Sequence, residues 1–422
     1  MPPPKKTTLL IKNIGQLVTM SGPSPRIGDE LKNIGLIEHG GLAFSGEEVL
    51  LVGPSDEVEG KAELVEGCTV IDAAGAVVTP GLIDCHTHPV FSRTREKEFE
   101  MRVQGKSYME IAAEGGGILS SVRDTRSVER SVMRDKTRKR LDRFLKLGIT
   151  TIEAKSGYGL SLESEMTQLD IIRELDSSHP VDLVPTFMGA HEVPEEYRNK
   201  REGYVDLLVK EMIPRIAKEK LAEFSDVFCE KGVFTVEESR RIQKAAVAHG
   251  LKLKFHADEF AHSGSAELAA EMGATSADHL MFVSDEGIKA LAQHKTAAVL
   301  LPGTTFSVGG KQYAPARKMI EEGCIVALST DCNPGSCYCE SLPLMISLAA
   351  VQMKMTAAES LCAVTVNAAY AIGRQTTVGR LEQGLLADAV VWDMEDYREF
   401  PYHFGVPLAT TVIKRGKVVS GG

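Results

Sequence analysis

The sequence has no run approaching eighteen apolar residues, so no segment reads as a bilayer-crossing helix. Its longest apolar stretches, such as TAAVLLPG, are far too short. The opening MPPPKKTTLLIKN carries lysines but lacks the apolar centre of a secretory leader, which points to a cytoplasmic protein with reduced thiols. There is no basic stripe. With 48 Lys and Arg against 58 Asp and Glu, the formal net charge of -10 disfavours nucleic acid and anionic membranes as partners. Cys332, Cys337 and Cys339 lack a second matched pair at zinc-ribbon spacing, so a structural zinc site is only weakly signalled there. No GxGxxG follows the first plausible strand, which argues against an open doubly wound sheet.

What is present is globular composition over 422 residues, 43% hydrophobic and 25% charged. That length accommodates a large barrel with an attachment. The first eighty residues hold short alternating pieces (TTLLIKN, GLIEHGGLAFSG, EEVLLVG, CTVIDAAGAVVTP) cut by Gly, Pro and Asp. The last forty resemble them, with ADAVVWDM and a hairpin turning at Lys414 to Lys417. One small β-sandwich built from both termini is expected, over residues 1–78 and 382–422. Residues 79–381 alternate apolar strands with helix-compatible segments. The strands end at His88 or begin near Ile149, Val181, Ser225, Leu251, Thr275, Thr296 and Cys324. Eight such units predict an α/β architecture, a (β/α)₈ TIM-like barrel. The long excursion from Phe91 to Gly148 lies where barrel loops shape the pocket.

His86-Thr87-His88 ends the first barrel strand. The two-residue period of a strand puts both imidazoles on one side, where they offer adjacent nitrogens to a borderline metal. His256 ends LKLKFHADE and offers a third nitrogen, and Glu259 follows as a proton-transfer carboxylate. His279 ends SADHL, and Asp331 closes VALSTDCNPG. Singly these are ordinary strand-end and turn residues. Together they fall on one face of one barrel, where catalytic groups from several strands meet. His86, His88, His256 and Asp331 make an N₃O shell suited to zinc or iron. Glu259, His279 and Asp331 are the groups available to move protons, in roles left open. Arg95 can pair a substrate carboxylate, while Tyr158 and His191 can hydrogen-bond a ring. Lys155 reads either as a modified bridge between two metals or as a salt-bridging lysine.

The segments PGLIDCHTHPVFSRTRE, EGGGILSSVRDTR, EAKSGYGL, TFMGAHEVP, KFHADEF, SADHL and STDCNPGS resemble the amidohydrolase superfamily over nearly the whole chain. They are most similar to its branch that opens the ring of 4-imidazolone-5-propanoate, giving N-formimino-L-glutamate in histidine degradation. The resemblance implies one zinc or iron ion per subunit on His86, His88, His256 and Asp331. It places water activation on Glu259 and His279, and substrate binding on Arg95, Tyr158 and His191, with Arg95 on the propionate. It also implies a cytoplasmic homodimer and argues against a two-metal bridge at Lys155. Cys85 departs from the branch's usual residue and can bring a thiol near the metal.

Overall fold

The computed structural model describes residues 5–106, 110–111 and 114–421. The first four residues of the MPPPKK opening, part of the Phe91 to Gly148 excursion and the last residue of the β-rich C-terminal end lie outside these. Five strands open the chain: β1 (Thr7–Val18), β2 (Leu36–Ser45), β3 (Glu48–Pro54), β4 (Leu64–Asp72) and β5 (Val77–Pro80). The middle supplies β6 (Leu82–Asp84), β7 (Ile149–Lys155), β8 (Asp182–Ala190) and β9 (Phe224–Cys229). It continues with β10 (Lys252–Ala257), β11 (Ser276–His279), β12 (Ala297–Leu300) and β13 (Val326–Leu328). Three strands finish the chain: β14 (Ala389–Trp392), β15 (Ala409–Lys414) and β16 (Lys417–Gly421).

The middle strands pair in sequence order from β6 to β13, all parallel, and every residue of β7 is buried. Such strands need helices outside and side chains inside, which is the barrel expected from the alternation. The ring closes just past the strand ends. Asp331 donates its N–H to the His86 carbonyl at 3.1 Å, and His88 donates to the Cys332 carbonyl at 2.9 Å. The two segments carrying HxH and Asp331 are therefore stitched together by backbone.

The covering helices start where their sequences direct. Thr235 and Glu238 form a reciprocal capping box before Val236–Ala248. Ser161 accepts the Ser164 N–H before Leu162–Asp176. Glu165, in that helix's first turn, is buried and accepts the N–H groups of Gly157, Gly159 and Leu160 at 3.1, 2.8 and 2.8 Å. It thereby shapes the loop that carries Tyr158.

The terminal strands form a second, mixed sheet in the order β16-β15-β14-β5-β1-β2-β3, with β4 also on β1. Pairing of β14 with β5 joins the two ends of the chain, as their shared composition predicts. Leu9, Ile11, Leu42, Phe44, Val391 and Ile413 share its apolar core. Only Gly81 separates β5 from β6. Trp392 of β14 packs into the barrel's core and donates its Nε1–H to Thr79 at 2.9 Å.

Candidate metal centre

Two groups of side chains converge at the carboxyl ends of the barrel strands. His86, His88 and Asp331 each place a donor atom within 4.8 Å of the others, and so do His86, His256 and His279. All are buried. Asp331 Oδ1 stands 3.5 Å from His86 Nε2 and 3.7 Å from His88 Nε2. The His86 ring centroid is 4.5 Å from that of His256 and 5.4 Å from that of His279. The structure thus brings together the four expected ligand residues, with His279 nearly as close.

Hydrogen bonding separates the histidines. His86 Nδ1 lies 2.5 Å from Asp278 Oδ2, and His256 Nδ1 lies 3.1 Å from Asp226 Oδ1. An ionised carboxylate only accepts, so each Nδ1 carries a proton and each Nε2 keeps its lone pair for the centre. His86 Nε2 is buried without a hydrogen-bond partner. His279 has a partner on neither ring nitrogen, and its Nε2 is 3.5 Å from Glu259 Oε2. His86 and His256 are oriented as ligands are, whereas His279 faces a carboxylate across the cavity.

The electrostatics follow from burial. Burial holds the His86, His88 and His279 imidazoles well below their usual range, which leaves them neutral donors of electron pairs. Burial lifts Asp331 to about 6, against the hydrogen bond it accepts from Thr304 at 2.5 Å. Burial, with Asp331 and Glu230 nearby, pushes Glu259 well above the ordinary carboxylate range. Glu230 also accepts the N–H groups of Glu259 and Phe260 at 2.9 and 3.0 Å, fixing the turn that presents Glu259. His279 and Asp331 adopt φ of +79° and +53°, a region non-glycine residues seldom occupy outside strained sites.

Lys155 lies beneath this layer, fully buried, with its ammonium 2.7 Å from both Glu153 Oε1 and Asp226 Oδ2. Burial alone would lower its pKa, but Asp226, Glu153 and Asp278 outweigh that and raise it. A lysine so held is an ion-pair partner, the simpler of its two readings. Asp226, Asp278 and Glu153 were not singled out from the sequence. The available signal was a charged residue inside an otherwise buried strand, as in SDVF, SADH and ITTIEAK.

The expected substrate residues lie beside the same cluster, with Arg95 close enough to act electrostatically on Tyr158 and His191. His191 donates Nδ1–H to the Gly157 carbonyl at 3.0 Å, leaving Nε2 as an acceptor, and burial holds its pKa down at about 3. Its ring stacks on His88 at 5.1 Å and lies 5.3 Å from that of Tyr158. Arg95 Nε and Nη1 are buried without hydrogen-bond partners, with Glu98 Oε2 3.7 Å from Nε. Beyond that ion pair, these unbonded donors can take a carboxylate. Arg140, absent from the sequence reading, stacks 3.3 Å over Phe91 and donates to the Pro89 and Phe91 carbonyls at 3.0 and 2.7 Å. It fixes the segment between HxH and Arg95.

The cysteines stand apart from this chemistry. Cys85 Sγ is directed to the Leu328 carbonyl at 3.8 Å, within an apolar cluster. Cys332 and Cys337 are buried, and burial pushes both thiols up. Among the described residues, no metal-competent group includes a cysteine.

The profile of the amidohydrolase family matches residues 77–419, and the chain belongs to that family. Within it, the chain falls in the imidazolonepropionase branch. It is 48% identical to the imidazolonepropionase of Geobacillus sp. (strain WCH70) over 97% of each chain, and 49% identical to that of Geobacillus kaustophilus over the same shares. Among solved structures, its fold is similar to a zinc-bound adenosine deaminase from Xanthomonas campestris, with a TM-score of 0.72 at 17% identity, covering 99% of this chain and 93% of the other.

Proposed function

We infer that this chain hydrolyses the ring amide C–N bond of 4-imidazolone-5-propanoate, giving N-formimino-L-glutamate in histidine degradation. The observation that carries this reading is the buried Arg95 guanidinium beside Tyr158, His191 and the histidine–aspartate cluster, its Nε and Nη1 without hydrogen-bond partners, which suits a substrate with a heterocycle and a carboxylate tail. Relatives 48–49% identical over 97% of the chain support it.

His86, His88 and His256 through nitrogen and Asp331 through oxygen would hold one zinc or iron ion. The orphaned His86 Nε2 and the anchored Nδ1 atoms of His86 and His256 fit that assignment. When bound, the metal acts as a Lewis acid that polarises the ring carbonyl and makes water acidic near neutrality. Arg95 takes the propionate, and Tyr158 and His191 Nε2 position the ring. Glu259 is the base that accepts the proton of the attacking water. As the water oxygen bonds to the ring carbonyl carbon, His279 faces the developing oxyanion. When the C–N bond breaks, Glu259 returns its proton to the departing nitrogen. Asp331, hydrogen-bonded by Thr304 and beside His86 and His88, would supply the oxygen ligand.

The family likeness supports a homodimer in the cytoplasm, tested by sedimentation of the purified protein. Among the described residues no helix is long and apolar enough to cross a membrane. The activity is tested on one sample of known metal content, following loss of the ring's ultraviolet absorbance and formation of N-formiminoglutamate. One metal per chain with that product is expected. Ammonia release without ring opening would make the chain a deaminase.

A further inference from the structure

Glu153 and Lys155 lie two apart on β7, so both point to the same side of the sheet, and both are fully buried. The Lys155 ammonium donates to Glu153 Oε1 and Asp226 Oδ2, each at 2.7 Å, and stands 3.9 Å from Asp278 Oδ2. Each carboxylate continues to a different part of the centre. Glu153 Oε2 accepts the N–H of Thr87, the residue between His86 and His88, at 3.3 Å. Asp226 Oδ1 accepts from His256 Nδ1, and Asp278 Oδ2 from His86 Nδ1. One cation therefore underlies the backbone of HxH and the ring orientations of two histidines that lie on β10 and just beyond β6. These come from opposite sides of the barrel.

We propose that Lys155 is the positioning residue that sets the metal centre's geometry, holding Glu153, Asp226 and Asp278 in the register that aims His86 and His256 at one point. An ammonium suits this task. It has three donors and no acceptor, so it can bind only the carboxylates and cannot compete for the ring N–H groups. It is also compact enough to sit between carboxylates from three strands. Without it, Glu153 and Asp226 face each other in a dry interior and Asp226 loses the contact fixing its rotation, while Asp278 is left with Lys254 as its neighbouring cation. Lys155 contacts neither substrate residues nor the reacting atoms; it acts wholly through its partners. The inference rests on the metal site assigned above.

The experiment compares the wild type with Lys155→Met, both stripped of metal and titrated with zinc against a chelator. Cobalt(II) spectra of the reconstituted proteins and urea unfolding of the metal-free proteins accompany the titration. Wild type is expected to bind one zinc. Lys155→Met should bind it about 10- to 100-fold more weakly, the usual effect of losing a group that orients ligands. Its cobalt bands should change in position or intensity. Zinc affinity within threefold of wild type with an unchanged cobalt spectrum, whatever the loss in urea stability, would reduce Lys155 to a structural ion pair and overturn the proposal. If Lys155→Met does not fold, Glu153→Gln and Asp226→Asn replace it, since each keeps the shape and cuts one arm. Both should weaken zinc binding, and wild-type affinity in both would overturn the proposal equally. A wild type that binds no metal would sink the metal assignment itself, and this inference with it.

Discussion

A Cβ built on Gly335 would lie 1.1 Å from Arg95 Nη2. The guanidinium occupies the space any other residue at 335 would fill, while the Arg95 N–H bonds the Pro334 carbonyl at 3.2 Å. The turn after Asp331 is thus also a wall of the proposed carboxylate subsite.

Gly335→Ala should therefore displace Arg95 without touching the metal centre. Hydrogen bonds to charged groups are worth about 1.5–3 kcal/mol, so KM should rise about 10- to 100-fold with kcat far less affected. Steady-state kinetics with parallel metal analysis reads this. Unchanged KM would remove Arg95 from substrate binding.

Glu259→Gln keeps the shape of the side chain that faces His279 at 3.5 Å but removes its capacity to carry a proton. We expect kcat to fall by about 10²- to 10⁴-fold, the range of general acid–base catalysis, with one metal still bound per chain. A variant retaining near-normal kcat would move the base elsewhere.

His191 gives the metal-free protein an acid liability. Its pKa is about 3 in the fold against 6.5 for an ordinary histidine, so between these values the unfolded chain binds the extra proton. Stability is held above pH 6.5 and lost as pH falls toward 3, by up to about 1.4 kcal/mol per pH unit for each such histidine. His86, His88 and His279 are shifted in the same direction and steepen the slope. Urea midpoints across this range should fall with pH, and less steeply in His191→Gln.

Gly148 joins the helix Arg130–Lys146 to β7 with φ +83°, and a Cβ there would lie 2.6 Å from the Trp392 ring. Gly148→Ala should cost about 1–3 kcal/mol through backbone strain and overpacking, read as a lower urea midpoint. Activity per folded molecule should be unchanged, because the contact lies between the barrel and the second sheet.

The parts legible in the sequence were those whose periodicity or position carries meaning. Eight apolar runs ending in polar residues gave the barrel, because parallel strands are buried along their length and deliver side chains only at their ends. HxH, His256, His279 and Asp331 were legible for that reason. Asp226 and Asp278 were not, because an acid within a strand looks the same whether it faces a histidine or solvent until the register is known. Glu165, from its place in the first helical turn, suggests no more than a favourable charge at the helix N-terminus. Its actual work, gathering three N–H groups of the Tyr158 loop, depends on a loop path that no local pattern encodes. The role of Gly335 depends on an arginine 240 positions earlier in the chain.

Because β5 passes into β6 with only Gly81 between, the segment that delivers His86 and His88 is one continuous ribbon anchored at its other end in the terminal sheet. A barrel excised at that point would begin with a severed strand at Leu82, four residues before His86. The terminal sheet is thus part of the scaffold of the reaction centre, and trimming it back should be felt first as loosened histidines, well before the barrel itself comes apart.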